Sequence, residues 1–189
     1  MKRIFAISAV ALASMLATQP ALAQSAESTG EVTIVGSVAD RCLFTLPSKL
    51  IDLGELSLPG SDGSAGRLDT SKVDGATETL QGWCNGTAAT MSVEAFAIEN
   101  TSFASAPPSG FDRVINFTAT ATANAADAED DSATAGAGTA VPVGMFTGDI
   151  DVVLSDSSTP GGGLLVAGDY EGLVRVTLTP NVSFGGSPE

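Results

Sequence analysis

Two cysteines, Cys42 and Cys84, stand 42 residues apart, and no histidine occurs among the 189 residues. Without histidine the commonest general base and the commonest metal ligand are missing, so no serine can be activated by a Ser-His pair. No phosphate-cradling glycine motif precedes a helical pattern. What remains is a set of 22 Asp and Glu residues, and paired carboxylates can hydrolyse glycosides. The densest acidic run, Asp127-Ala128-Glu129-Asp130-Asp131, offers oxygen ligands of the kind a hard cation takes. It has no calcium-loop spacing, and among Ala, Thr, Ser and Gly it reads more simply as a solvated loop. Asp149, Asp151 and Asp156 are read in the same way. The expectation is a protein without catalytic residues, cofactor or bound metal, in which the one covalent reaction is the pairing of Cys42 with Cys84.

That pairing needs an oxidising compartment. Lys2 and Arg3 precede an apolar run from Ile4 to Ala17, and Ala21-Leu22-Ala23 puts small residues at the positions a signal peptidase inspects. The reading is a cleavable secretory signal over residues 1 to 23, of the short alanine-rich kind that bacteria use. The run of about 14 residues is shorter than the roughly 20 a membrane-spanning helix needs. The expected product begins at Gln24, enters no membrane and passes through the periplasm to the cell surface or medium. Removing 23 of 189 residues leaves 166, a size that suits one domain over residues 24 to 189. The formal charge goes from −14 to −16 when Lys2 and Arg3 leave. Nucleic acid and anionic lipid are therefore poor partners.

The elements that would hold these residues are strands. In Glu31 to Val38, the set Val32, Ile34, Gly36 and Val38 points one way and Glu31, Thr33 and Ser37 the other, a half-buried strand. Leu50 to Leu53 is a short strand candidate, followed by a Gly-, Ser- and Asp-rich loop from Pro59 to Gly75. Leu80, Gly82 and Cys84 alternate with Gln81 and Trp83, and Met91, Val93 and Ala95 continue after an Asn85-Gly86 turn signal, which suggests two neighbouring strands. Trp83 reads as a packing residue beside the disulfide. Arg113 to Ala123 and Asp149 to Ser155 read as further strands. The longest alternation runs from Val174 through Val176, Leu178, Pro180 and Val182 to Phe184, and Pro180 places that end at an edge or bulge. Six to eight short strands with one disulfide predict an all-β fold, an immunoglobulin-like antiparallel β-sandwich, with a closed barrel as the alternative.

The combination resembles a chaperone/usher-type pilin (a fimbrial subunit), or the related spore-coat-U-like secreted domains. The residues that carry the likeness are Val32, Ile34, Gly36 and Val38 before Cys42, the second cysteine at Cys84, the intervening Ile51-Asp52-Leu53-Gly54, and a terminal alternating strand in which Gly172 precedes Phe184 by 12 residues. Gly168 to Val174 is closer to the spore-coat-U-like pattern, and five residues follow Phe184 where pilins usually stop at or just after the aromatic. The resemblance implies a sandwich lacking its last strand, completed by the amino-terminal extension of a neighbouring subunit. On that basis residues 24 to 38 contain the donor strand, with Val32, Ile34, Gly36 and Val38 entering the acceptor. Gly172, Val174, Val176, Leu178, Val182 and Phe184 would form a wall of the acceptor groove. The implied partners are homo- or hetero-subunits of an adhesive filament, with a periplasmic chaperone and an outer-membrane usher. The alternative reading of the same strands is a self-complete monomeric binding module, secreted or periplasmic, in which residues 31 to 38 pair within their own chain.

Overall fold

A computed structural model of the chain describes residues 28 to 180. Residues 1 to 27, which include the segment expected to be a secretory signal, and residues 181 to 189, with Val182 and Phe184, lie outside those residues. The chain divides into two units, residues 1–37 and 38–189.

In the first unit the described residues form no strand. The half-buried strand expected over 31 to 38 is therefore not formed: Val32 is 87% exposed, Ile34 92%, and Val38, which opens the second unit, 85%. Alternation specifies a strand with an apolar face, but the strand needs a partner before it exists.

The second unit is built from β-structure with one 3-10 turn, Thr70–Lys72. Its strands are β1 (Cys42–Leu46), β2 (Thr77–Cys84), β3 (Thr90–Asn100), β4 (Phe111–Asp112), β5 (Val114–Ala123), β6 (Ala126–Asp131), β7 (Val141–Pro142), β8 (Phe146–Ser158), β9 (Leu164–Leu165) and β10 (Tyr170–Thr179). Eight of them make one antiparallel sheet in the order β1-β2-β8-β5-β3-β10, with β6 beside β5 and β7 beside β3, while β4 and β9 form a small parallel pair. β5 turns the corner. Its first residues, Val114 and Ile115, pair with β3, and Thr118 to Thr122 pair with β8 on one side and β6 on the other. The result is two facing layers, β1-β2-β8-β5-β6 and β10-β3-β7, joined along β5. This all-β, antiparallel, disulfide-bonded architecture is the class that the alternating segments lead one to expect. The sheet is nearly closed, with its gap between β1 and β10. Among the described residues no helix is long and apolar enough to cross a membrane.

Period-two patterning explains the packing. On β5, Ile115, Phe117, Ala119, Ala121 and Ala123 are buried, and Val114, Asn116, Thr118, Thr120 and Thr122 face out. Ile150, Val152 and Leu154 of β8 and Met91, Val93 and Ala95 of β3 meet them in the core. Two bulges invert the pattern. On β3, Ala97 and Ile98 together face Gly172, so burial passes from odd to even positions and Ile98 and Asn100 turn inward. On β8, Asp156 adopts a φ of 53° where the register with β5 shifts, and Ser157 becomes the buried residue.

Three expectations change. The strands flanking Asn85-Gly86 form, but β2 pairs with β1 and β8 while β3 pairs with β5, β7 and β10. The turn thus crosses from one layer to the other instead of closing a hairpin, because both strands bury apolar faces and the core needs those faces opposed. Leu50 to Leu53 is not a strand. The acidic run is not a loop: residues 126 to 131 are strand β6, with Ala128 and Asp130 buried and Asp127, Glu129 and Asp131 outside. Asn124 and Ala125, with φ of 48° and 60°, make the two-residue turn into it. The Asp130 carboxylate is accommodated by a hydrogen bond from the Ala95 N–H at 2.8 Å. Among the described residues no group of three or more His, Cys, Asp or Glu is placed to hold a metal ion.

Candidate functional site

The gap in the sheet opens on an apolar groove. Among the described residues β1 pairs only with β2, and β10 only with β3. Each edge therefore leaves a row of main-chain donors and acceptors without strand partners, and such edges recruit other strands. Between them lies a groove of about 1000 Å³.

One wall is β10. Its burial alternates, so Val174, Val176 and Leu178 are half-buried against the core while Arg175 and Thr177 face out. Arg175 is held there by Glu94 at 2.6 Å and lies over the Phe96 ring at 4.9 Å, which fixes the parity of the strand. Val174 and Val176 line the groove, as does Gly172. Leu178 packs on Gly82, within 3.3 Å of where a Cβ would stand, outside the groove lining. Val182 and Phe184 lie outside the described residues. Gly172 has a definite steric reason: a Cβ there would come 2.7 Å from Ile98 Cγ1 and 3.1 Å from Ile98 Cα. The bulge pushes β3 against β10 at this point, and only a residue without a side chain fits beneath it.

The other wall begins on β1. Cys42 and Phe44 point inward, and Cys42 is bonded to Cys84, its direct partner on β2, with Cα atoms 4.2 Å apart. The expected disulfide is thus a staple between an edge strand and its neighbour. Trp83, beside it, faces the opposite way and pairs with Leu43 on the outer face. β1 shifts register after Phe44, and Pro47, which has no N–H to offer a ladder, follows its last residue. The chain then leaves the layer and runs along the groove as residues 47 to 57. Ile51, Leu53 and Leu56 pack against the core from this segment. Local side-chain bonds hold it: Asp52 Oδ1 accepts from the Gly54 N–H at 3.1 Å, and Glu55 Oε1 accepts from the Ser57 N–H at 3.0 Å and its hydroxyl at 2.6 Å. The two bonds from Ser57, the hydroxyl's first, hold the Glu55 carboxyl below the ordinary Glu range. The floor is the core itself, with Leu80, Ile98, Phe117, Val152 and Leu154.

One end of the groove is closed by residues 165 to 169. Tyr170 opens β10 and its hydroxyl donates to the Val166 carbonyl at 2.8 Å, while the buried Asn100 amide donates to the same carbonyl at 2.9 Å. The lip is charged, with Asp52, Glu55, Asp169 and Glu171 against Lys49, and Glu78, which has the parity of Leu80 on β2, adds a carboxylate beside the floor. An apolar trough with polar main-chain edges and a charged lip suits an extended peptide whose alternate side chains are apolar.

Of the residues that the resemblance implies for an acceptor groove, Gly172, Val174 and Val176 line this one and Leu178 does not, while Ile51-Asp52-Leu53-Gly54, expected to include a strand, lies along it without strand structure. Phe44, Leu80 and Phe117 border the groove without a signal in the sequence, because which inward side chains border the opening depends on which two strands end the sheet. No protein-family profile matches the chain, and no curated protein matches it.

Proposed function

We propose that the chain is a structural subunit of a surface filament or coat, assembled by β-strand donation between copies or with related subunits. The observation that carries the reading is the coincidence of two complementary features in one chain. One is an apolar groove between two sheet edges that lack strand partners among the described residues. The other is a segment with alternating apolar residues, Val32, Ile34 and Val38, exposed at 85% or more and without strand structure. Residues 31 to 38, extended, would reach about 26 Å at ~3.3 Å per residue, within the span of the ten residues of β10. A segment from one chain in the groove of the next is a heterologous contact, which propagates as a fibre instead of closing. The pilin-like resemblance supports the same reading, and with it come export through the periplasm, a chaperone that covers the groove in transit and an outer-membrane usher. The disulfide is compatible with that route.

Residues 24 to 189, examined by electrophoresis in sodium dodecyl sulfate with and without heating, should give a ladder of multimers that collapses to monomer on boiling. A monomer band alone under both conditions, at every protein concentration, would count against the proposal. A second reading, a secreted or periplasmic module that binds a small apolar ligand, draws on the groove's volume of about 1000 Å³, the upper end of ligand-site sizes. It predicts a stable monomer whose melting temperature rises with an added apolar compound and not with peptide.

A further inference from the structure

The residues that lead into β1 are held by one side chain. Asn85, the first residue past β2, accepts a hydrogen bond at Oδ1 from the Arg41 N–H (2.6 Å) and donates from Nδ2 to the Ala39 carbonyl (3.1 Å). Its own N–H donates to the Arg41 carbonyl at 3.1 Å, extending the β1–β2 ladder by one step. Asp40, between the two clamped residues, packs over the buried Gly86, where a Cβ would stand 3.0 Å from Asp40 Cγ.

These are the groups a tight reversal in front of β1 would use. A two-residue turn over Ala39-Asp40 closes with the Arg41 N–H on the Val38 carbonyl, and one over Asp40-Arg41 closes with the Cys42 N–H on the Ala39 carbonyl. The first turn needs the Arg41 N–H on the edge away from β2, whereas the Arg41 N–H and carbonyl both point to Asn85 on the β2 side, so the ladder itself opposes that turn; the second needs the Ala39 carbonyl, which Asn85 Nδ2 holds. A hairpin at this point is the shortest path by which residues 31 to 38 could pair with the β1 edge of their own chain. That edge borders the groove, so the hairpin would compete with donation to another copy.

Resting on the strand-donation reading, we propose that Asn85 is a positioning residue that suppresses self-pairing and so directs residues 31 to 38 to a second copy of the chain. It touches neither the donor side chains nor the groove. Its effect is on the partition between self-closed monomer and multimer.

The test uses residues 24 to 189 as wild type, Asn85→Ala and Asn85→Asp. Each is separated by size-exclusion chromatography with light scattering, and amide hydrogen exchange of residues 31 to 38 is read in the monomer peak. Alanine removes both side-chain bonds, while aspartate keeps the acceptor for Arg41 and loses the donor to Ala39. The expected result is a rise of roughly tenfold in the ratio of monomer to multimer for Asn85→Ala, the factor carried by one or two net hydrogen bonds. The added monomer should show exchange protection at residues 31 to 38, and Asn85→Asp should lie between it and wild type. If wild type multimerises and both variants partition as it does, with residues 31 to 38 unprotected in every monomer peak, the role of Asn85 is overturned and strand donation stands. If wild type forms no multimers, the underlying reading fails and this inference goes with it.

Discussion

Truncating Ile34 to alanine should have opposite consequences for the isolated chain and for the assembled one. Ile34 is 92% exposed, so its side chain contributes nothing to the core of its own chain. Ile34→Ala should shift the unfolding free energy by less than about 0.5 kcal/mol, as surface substitutions do. In a neighbour's groove the same side chain would be buried between β10 and residues 47 to 57. Three carbons are lost, at about 0.8 kcal/mol per buried CH₂, which gives about 2.4 kcal/mol before any cavity contribution. At about 1.4 kcal/mol per decade, binding weakens roughly fiftyfold. The assay is fluorescence anisotropy of a labelled peptide of residues 24 to 38, wild type or Ile34→Ala, titrated into the chain that begins at Ala39. Thr33→Ala is the control, because Thr33 has the opposite parity and should change affinity by less than about threefold. Equal affinities for the wild-type and Ile34→Ala peptides would refute the reasoning, as would a drop of several degrees in the melting temperature of monomer isolated from the Ile34→Ala chain.

Further outcomes follow from the same geometry. Replacing Cys42 and Cys84 by alanine opens a loop with a sequence separation of 42; the chain-entropy relation gives about 4 kcal/mol, and thermal unfolding should show a loss of roughly 2–4 kcal/mol. Gly172→Val places a branched side chain against Ile98, where even a Cβ would come within 2.7 Å; denaturant unfolding should show a loss of about 1–3 kcal/mol, and a neutral result would contradict the assigned bulge. Ser57→Ala removes the hydroxyl hydrogen bond, the larger of the two causes that hold the Glu55 carboxyl below its ordinary value, and keeps the one from the residue 57 main-chain N–H. The Glu55 titration midpoint, followed by carboxyl NMR, should rise toward the model-compound value of 4.5. The sign follows from linkage: with a depressed folded-state pKa, the stabilisation from these bonds is present above the unfolded-state value and is lost as pH falls through the folded one. Glu55 is fully exposed, so the readout is the titration itself.

The parts of the fold that could be read from the sequence are those where period-two alternation coincides with a paired strand. Ile115 and Phe117 on β5, Ile150, Val152 and Leu154 on β8, and Val174, Val176 and Leu178 on β10 all face the side that their spacing implies. Strand β6 escaped because its turn, Asn124-Ala125, lacks the glycine that marks most two-residue hairpins, and because an inward Asp130 breaks the apolar pattern. The pairing around Asn85-Gly86 was misjudged for a different reason. A local turn signal does not say whether the next strand lies beside its predecessor or across the core from it, and here the opposed apolar faces decide. Gly172 was picked out by its distance from Phe184, whereas its physical role is to accept the close approach of Ile98 at a bulge that leaves no local sequence signal. Residues 47 to 57 have no period, and their place along the groove follows from Pro47 ending β1 and from Ile51 and Leu53 finding apolar neighbours there.

The proposal turns on whose groove residues 31 to 38 fill. The most direct measurement is size-exclusion chromatography with light scattering on residues 24 to 189 and on the chain beginning at Ala39, with the peptide of residues 24 to 38 added back. Strand donation predicts that the longer form multimerises and that the shorter form, less stable alone, becomes a stable one-to-one complex with the peptide. A longer form that stays monomeric at all concentrations, beside a shorter form that is equally stable and takes up no peptide, would contradict it.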